Sequence, residues 1–299
     1  MIVGTFSQKI YEAFNQGSYK FNLTLLDDWS DSRLDSMESL VIGRMNNDDL
    51  KKCSRLKNIF IPFTGRNGFD ENFMKENGIT LHSTNAHSKY VAERAFTLAL
   101  TLLGKITQYD TSLKRGNWSR RNFDNRVSWN TLFNKRVGIY GYGTIGKWIA
   151  KFLEPFNCDL YVYNRSQNEN VRYADSLKEL VEKSDIVFIS VPLNKETESA
   201  FNKEVLGHMH SKFLVNIARG KVVNEDDLYT ALKSKTLLGY ASDVWYNYPA
   251  SDSDNSPVSK YPLNEENVVM TPHCGGFAHG SENMRYIDIL NQVENIKLI

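Results

Sequence analysis

"RVGIYGYGTIG" (residues 136–146) is the stretch on which the fold turns. Its first five residues are an apolar run of strand length, and "GYGTIG" (141–146) fits G-x-G-x-x-G directly behind them. The helical pattern "IGKWIAKFL" follows at once. Strand, glycine turn, then helix is the context a dinucleotide loop requires. Gly141 permits the tight turn, Gly143 lets backbone approach a pyrophosphate, and Gly146 lets helix and strand pack closely. Tyr142, Thr144 and Ile145 complete the loop. The helix N-terminus then offers amide hydrogens and a partial positive charge to the anion.

Outward from this loop, apolar runs recur at "DLYVY" (159–163), "DIVFISV" (185–191), "KFLVNI" (212–217), "LLGYASDV" (237–244) and "NVVMT" (267–271). Most are separated by helical patterns such as "NEDDLYTALKSK". Continuous apolar strands joined by crossover helices indicate a parallel sheet buried on both faces. Six such units make a doubly wound, dinucleotide-binding domain. Before Lys135, "SLVIGR" (39–44), "LKNIFIPF" (56–63) and "GITLHST" (78–84) read as strands of a smaller α/β unit. A long helix is expected next, with Val91, Ala95, Leu98, Ala99 and Leu102 on one face. Residues 114–136 are polar and aromatic and read as a connection or cover, and 249–259 as a polar loop. The tail is helical again, with Met284, Ile287, Leu290 and Val293 on one stripe.

The length of 299 residues suits two domains. A net charge of +1 gives no pull toward nucleic acid or an acidic surface. The start lacks a basic region followed by an apolar core, and "AFTLALTLLG" (95–104) is too short to span a bilayer. Cys53, Cys158 and Cys274 lie far apart without metal-type spacing, so a reducing cytoplasm and no metal are expected.

An NAD site needs an acid about 20 residues past the glycine loop, at the end of the next strand. Here "LYVY" gives way to Asn164, Arg165 and Ser166. No carboxylate is present to hold a ribose 2′-hydroxyl, whereas arginine and serine suit a 2′-phosphate. NADP(H) is therefore expected over NAD(H). Ligands of open parallel sheets sit beyond the carboxyl ends of the strands. Those ends read "VPLN" (191–194), "NIARG" (216–220), "SDVW" (242–245) and "TPHCGG" (271–276). Arg219 offers a fork of donors for a carboxylate, and His273 can hand over a proton near neutral pH. With a hydride-donating cofactor, this pair points to reduction of a 2-keto acid.

Over nearly its whole length the chain resembles the D-isomer-specific 2-hydroxyacid dehydrogenase family. The resemblance rests on "GRNGFDENFMKENGITLHSTNAHSKYVAERAFTLAL", "GIYGYGTIG", "NIARGKVVNEDDLYTAL", "ASDVW" and "NVVMTPHCGG", in the family's order and spacing. It implies an α/β protein of two Rossmann-like domains with doubly wound parallel sheets and a cleft between them. The flavodoxin-like substrate domain would be 1–103 plus 274–299, and the dinucleotide-binding domain 104–273. It also implies homodimers and a small 2-keto or 2-hydroxy acid substrate, with no membrane or nucleic-acid partner. By the family's pattern Arg219 binds the substrate carboxylate and carbonyl, and His273 is the acid/base. Backbone at Asn67 and Gly68 would help hold the carboxylate. Asp243 would face the nicotinamide carboxamide, Val191, Pro192 and Leu193 would line the adenosine side, and Ile217 and Ala218 would border the cofactor.

One position departs from the pattern. A glutamate is usual five residues after the aspartate of the "DV" motif, yet "DVWYNYP" places Tyr248 there, with Pro249 keeping register. A carboxylate would orient His273 and favour imidazolium, whereas a phenol could orient the ring without supplying charge. The expectation is that Tyr248 positions His273, giving turnover with a more acidic pH optimum, or that it merely packs. The alternative function is a nucleotide-binding regulatory module with little turnover, as in dehydrogenase-like transcriptional corepressors. "YTALK" (229–233) reads as an exposed helix, His208 with His210 as surface residues and Cys274 as a packing residue, while His279 either edges the pocket or lies on the surface at a helix start.

Overall fold

The structure, a computed structural model, describes residues 1–43, 45–66, 68–118, 128–167, 169–251 and 253–296. It divides into two compact units, Met1–His87 with Phe277–Ile299, and Ser88–Gly276.

The first unit holds β1 (Ile2–Thr5), β2 (Asn22–Leu25), β3 (Ser39–Val41), β4 (Asn58–Ile61) and β5 (Thr80–Ser83), in the order β2-β1-β3-β4-β5. Every pairing is parallel. Helices α1 (Gln8–Asn15), α2 (Asn47–Leu50) and α3 (Glu71–Glu76) lie between strands, and a C-terminal helix (Ser281–Ile296) returns to the same unit. Alternation along β4 shows why its run is apolar throughout. Ile59 and Ile61 join one core with Leu26 and Leu40, while Phe60 joins the opposite one with Val3, Ile289 and Val293.

Two of these strands, β1 and β2, were not expected from the sequence. Neither is a continuous apolar run, since β1 reads IVGT with Gly4 and Thr5 and β2 reads NLTL with Asn22 and Thr24. The C-terminal helix buries Tyr286, Ile289, Leu290 and Val293, while Ile287 is 48% exposed. Its inward face is thus rotated from the expected stripe, because Arg285 and Tyr286 take inward positions. Arg285 and His87 are both buried in this unit, and His87 Nδ1 and Arg285 Nε have no hydrogen-bond partner among the described residues. The Arg285 guanidinium lies 5.2 Å from the centre of the Phe277 ring.

The second unit holds β6 (Arg136–Tyr140), β7 (Asp159–Tyr163), β8 (Ile186–Ile189), β9 (Lys212–Asn216), β10 (Leu237–Ser242) and β11 (Val268–Met270). The order is β11-β10-β9-β8-β6-β7, again all parallel. Its helices are α4 (Ser88–Leu103), α5 (Ile106–Lys114), α6 (Thr144–Leu153), α7 (Leu177–Lys183), α8 (Lys203–Gly207) and α9 (Glu225–Lys233). Ala92, Ala95, Leu98, Ala99 and Leu102 of α4 pack with Val137, Ile139, Ile149 and Phe188. The units therefore divide at 87/88 and 276/277, whereas the boundaries drawn from sequence fell at 103/104 and 273/274. Among the described residues no helix is long and apolar enough to cross a membrane.

Candidate active site

The chain leaves β6 through Gly141, whose φ of 95° lies where side chains are strained. A Cβ there would stand 2.8 Å from Val191 Cγ1 and 2.9 Å from the Ser190 carbonyl carbon. One at Gly146 would stand 2.3 Å from the Gly141 oxygen, so helix and turn meet backbone to backbone. Ser190 Oγ donates to that same oxygen at 2.7 Å. Gly143 is the N-cap of α6 and provides no side-chain cap, and the space beside it is open. The ten-residue helix therefore starts bare, with its dipole and amides turned to an uncrowded backbone. That geometry fits a pyrophosphate.

At the end of β7, Asn164 ties two loops together. Its Oδ1 accepts from Tyr142 N at 3.1 Å, and its Nδ2 donates to Ser166 O at 2.8 Å and Ser166 Oγ at 3.1 Å. Arg165 is exposed. On the far side of this loop Glu169 pairs with Lys147 of α6 at 2.5 Å. Beyond β8, Val191 is buried and Thr197 Oγ1 donates to Pro192 O at 2.6 Å.

The ends of β9, β10 and β11 converge. Buried Asn216 accepts from Ala218 N at 3.0 Å and donates to Arg219 O at 3.0 Å, fixing the turn that presents Arg219. Its Nδ2 also donates to Tyr240 Oη at 3.2 Å. Ile217 and Ala218 are buried within this turn. The Arg219 guanidinium donates to Ala218 O at 2.6 Å, and burial draws its pKa down while Tyr248 acts the other way. Asp243 is 3% exposed and both oxygens of its carboxylate accept hydrogen bonds. Oδ1 accepts from Thr271 Oγ1 at 2.5 Å and Cys274 N at 3.0 Å, and Oδ2 from Gly275 N at 2.7 Å. Trp245 Nε1 donates to Thr271 O at 2.8 Å. These bonds clamp both flanks of His273.

His273 itself has φ of 55°, and its amide donates to Thr271 O at 3.1 Å. A non-glycine residue held in the left-handed region marks a backbone that its surroundings over-determine. Its ring lies against Tyr248, centroids 5.4 Å apart and planes tilted 46°. The Tyr248 hydroxyl accepts from Trp245 N at 3.2 Å, so its contact with the imidazole is through the ring. Burial lowers the His273 pKa, and Arg219 lowers it further against a smaller opposing effect of Asp243. Burial likewise raises the Tyr248 phenol, which stays protonated at neutral pH.

Arg219, Asp243, Tyr248 and His273 are thus brought together at one sheet edge. Gly68 lies on an exposed loop of the first unit, and Asn67 falls outside the described residues. Asn216, Thr271 and Ser190 escaped the sequence reading, because short polar residues at strand ends carry no signal until their partners are known. Tyr229 of "YTALK" stacks on Tyr261 at 4.3 Å and His208 pairs with Glu182 at 3.1 Å, so both serve local packing. Among the described residues no group of three or more acidic, histidine or cysteine side chains could hold a metal.

Two doubly wound sheets, one carrying a bare glycine-loop helix and an arginine and histidine at its strand ends, define a nicotinamide-dependent oxidoreductase using NAD(H) or NADP(H). Residues 96–275 match the family profile of the D-isomer specific 2-hydroxyacid dehydrogenase NAD binding domain. The chain belongs to the D-isomer specific 2-hydroxyacid dehydrogenase family. It is 31% identical over 252 residues to the glyoxylate reductase of Pyrococcus furiosus, covering 81% of this chain and 73% of that one. It is 32% identical over 222 residues to the glyoxylate/hydroxypyruvate reductase HPR3 of Arabidopsis thaliana, covering 73% and 66%. The crystal structure of the PH0520 protein from Pyrococcus horikoshii superposes with a TM-score of 0.79 at 28% identity, covering 97% of this chain and 90% of that one.

Proposed function

We propose that the protein reduces a small 2-keto acid to the D-2-hydroxy acid, with NADPH preferred over NADH. The observation that carries this reading is the placement of Arg219 and His273 together at the strand ends of the sheet that bears the glycine loop. When bound, the reduced nicotinamide supplies the hydride. Arg219 then holds the substrate carboxylate and polarises the carbonyl with its guanidinium fork. His273, fixed by the Thr271 and Asp243 bonds on either side, gives its proton to the carbonyl oxygen. Exposed Arg165 and the Ser166 hydroxyl support the preference for a 2′-phosphate. The assembly this reading expects is a homodimer, checked by sedimentation velocity.

The donating form of His273 is imidazolium. Since its pKa lies below the usual value of about 6.5, that form is lost as pH rises through the lowered value. Keto acid reduction is expected to fall about tenfold per unit above that pH; a plateau extending past pH 7.5 would contradict it. Arg165→Ala is expected to raise the KM for NADPH about 10- to 100-fold, the loss of one charge-assisted contact, with NADH unaffected. Arg219→Gln should lower kcat/KM for the keto acid on the order of 100-fold. Tyr248, which stands where a carboxylate is usual, favours a second reading as a nucleotide-binding module. That reading wins if NADPH binds, no member of a 2-keto acid panel is reduced, and Arg219→Gln leaves binding unchanged.

A further inference from the structure

The surroundings of His273 bear on what this site reduces best. Within this unit, the charged and titratable groups facing its ring are Arg219 beyond β9, Asp243 and Tyr248 beyond β10, and neighbouring Cys274. Asp243 is the carboxylate among them, and both its oxygens already accept, Oδ1 from Thr271 and Cys274 and Oδ2 from Gly275. Tyr248 presents an aromatic face, its hydroxyl being turned to the Trp245 amide. Among the described residues, no carboxylate makes an ion pair with the imidazole. Above its lowered pKa it is an uncharged ring, beside the Tyr248 ring and the partly buried Arg219 guanidinium.

Such a site is poorly matched to a ketone at neutral pH. Hydride addition to C2 of a 2-keto acid leaves an alkoxide, which needs a proton that neutral imidazole does not give. An iminium is the complementary acceptor. A 2-keto acid and a primary ammonium ion lose water to form an iminium, a C=N bond whose nitrogen keeps one proton of the ammonium. The hydride and its electron pair then go to C2, the C=N π pair moves onto nitrogen, and NADPH becomes NADP⁺. The product is an amino acid, and no proton from the enzyme enters the step. Neutral imidazole can accept the iminium N–H, an aromatic face attracts the cation, and Arg219 still takes the carboxylate.

We propose that above neutral pH this site reduces the iminium counterpart of a 2-keto acid in preference to the keto acid, and that Tyr248 is the residue that sets this choice. The inference rests on the reading above, in which Arg219 takes the carboxylate and C2 receives the hydride. Its test follows NADPH oxidation with glyoxylate or pyruvate at pH 8.5, with and without methylamine, identifying the N-methyl amino acid by mass. At least a tenfold faster rate with amine is expected, carried by kcat. Tyr248→Glu should reverse the order, and Tyr248→Phe should keep it. Independently of turnover, NMR titration of the apo protein should place the His273 imidazole below its ordinary value, and Tyr248→Glu should raise it. Equal or faster oxidation without amine overturns this inference alone and leaves keto acid reduction standing. So does an unshifted His273 titration in Tyr248→Glu. NADPH binding without oxidation under either condition overturns both.

Discussion

The two sheets are wound alike, β2-β1-β3-β4-β5 in one unit and β7-β6-β8-β9-β10-β11 in the other, yet only one turn is built for an anion. After β1 the chain reads "TFSQ", and Ser7 Oγ caps α1 by accepting from Ile10 N at 3.3 Å. Thr5 Oγ1 accepts from Ser7 N at 3.2 Å and donates to Val41 O at 2.8 Å, so this switch point is closed by its own side chains. After β6 the chain reads "GYGT", with no side-chain cap on α6 and open space beside Gly143. Winding order creates a crevice, but the residues in its first turn decide whether helix amides are spent internally or kept for a ligand.

The comparison breaks most completely at Gly146. Its added Cβ would meet the Gly141 oxygen at 2.3 Å, so Gly146→Val has to push helix and turn apart. Overpacking of this kind costs about 1–3 kcal/mol. It should lower the melting temperature and weaken NADPH binding on the order of 100-fold. Fluorescence titration with a thermal melt checks this, and unchanged affinity would show that the close approach is dispensable.

Acid should separate the two units. His87 in the first is 7% exposed with its pKa drawn down to about 4, by burial and then by Arg285. A histidine depressed on folding stabilises fully above its unfolded value near 6.5, and that contribution disappears as pH falls toward 4. The linked loss reaches about 3 kcal/mol at most. Trp29 is the one tryptophan of the first unit. Its fluorescence in a variant lacking the other tryptophans should report acid unfolding that His87→Gln suppresses. The smallest effect belongs to Ser7→Ala, which removes an ordinary cap worth about 1 kcal/mol. NADPH affinity should not change, and a large change would mean that the first turn also serves the cofactor.

What could be read beforehand follows from how each feature is encoded. The six strands of the second unit are continuous apolar runs at regular spacing, so each announced itself. The face of α4 was equally plain, since Ala95, Leu98, Ala99 and Leu102 recur at helical intervals. Its partner was not, because a stripe specifies that a face is buried and not which sheet receives it. Strands β1 and β2 were missed because Gly4, Thr5, Asn22 and Thr24 interrupt their apolar residues. In the site, Arg219 and His273 stood out as ligand-capable residues at strand ends. The clamp around them did not, because Asn216 with Ala218 and Arg219, and Asp243 with Thr271, Cys274 and Gly275, join residues up to 32 positions apart.

The sequence by itself determined the doubly wound class, the glycine loop and the identity of the residue opposite His273, since strand spacing and motif register are local properties of the chain. Only the tertiary structure decided how Tyr248 meets the imidazole, and that both oxygens of Asp243 are engaged by Thr271, Cys274 and Gly275. Hydrogen-bond partners and desolvation are set by what other segments bring to the same place, and no single stretch of sequence contains them.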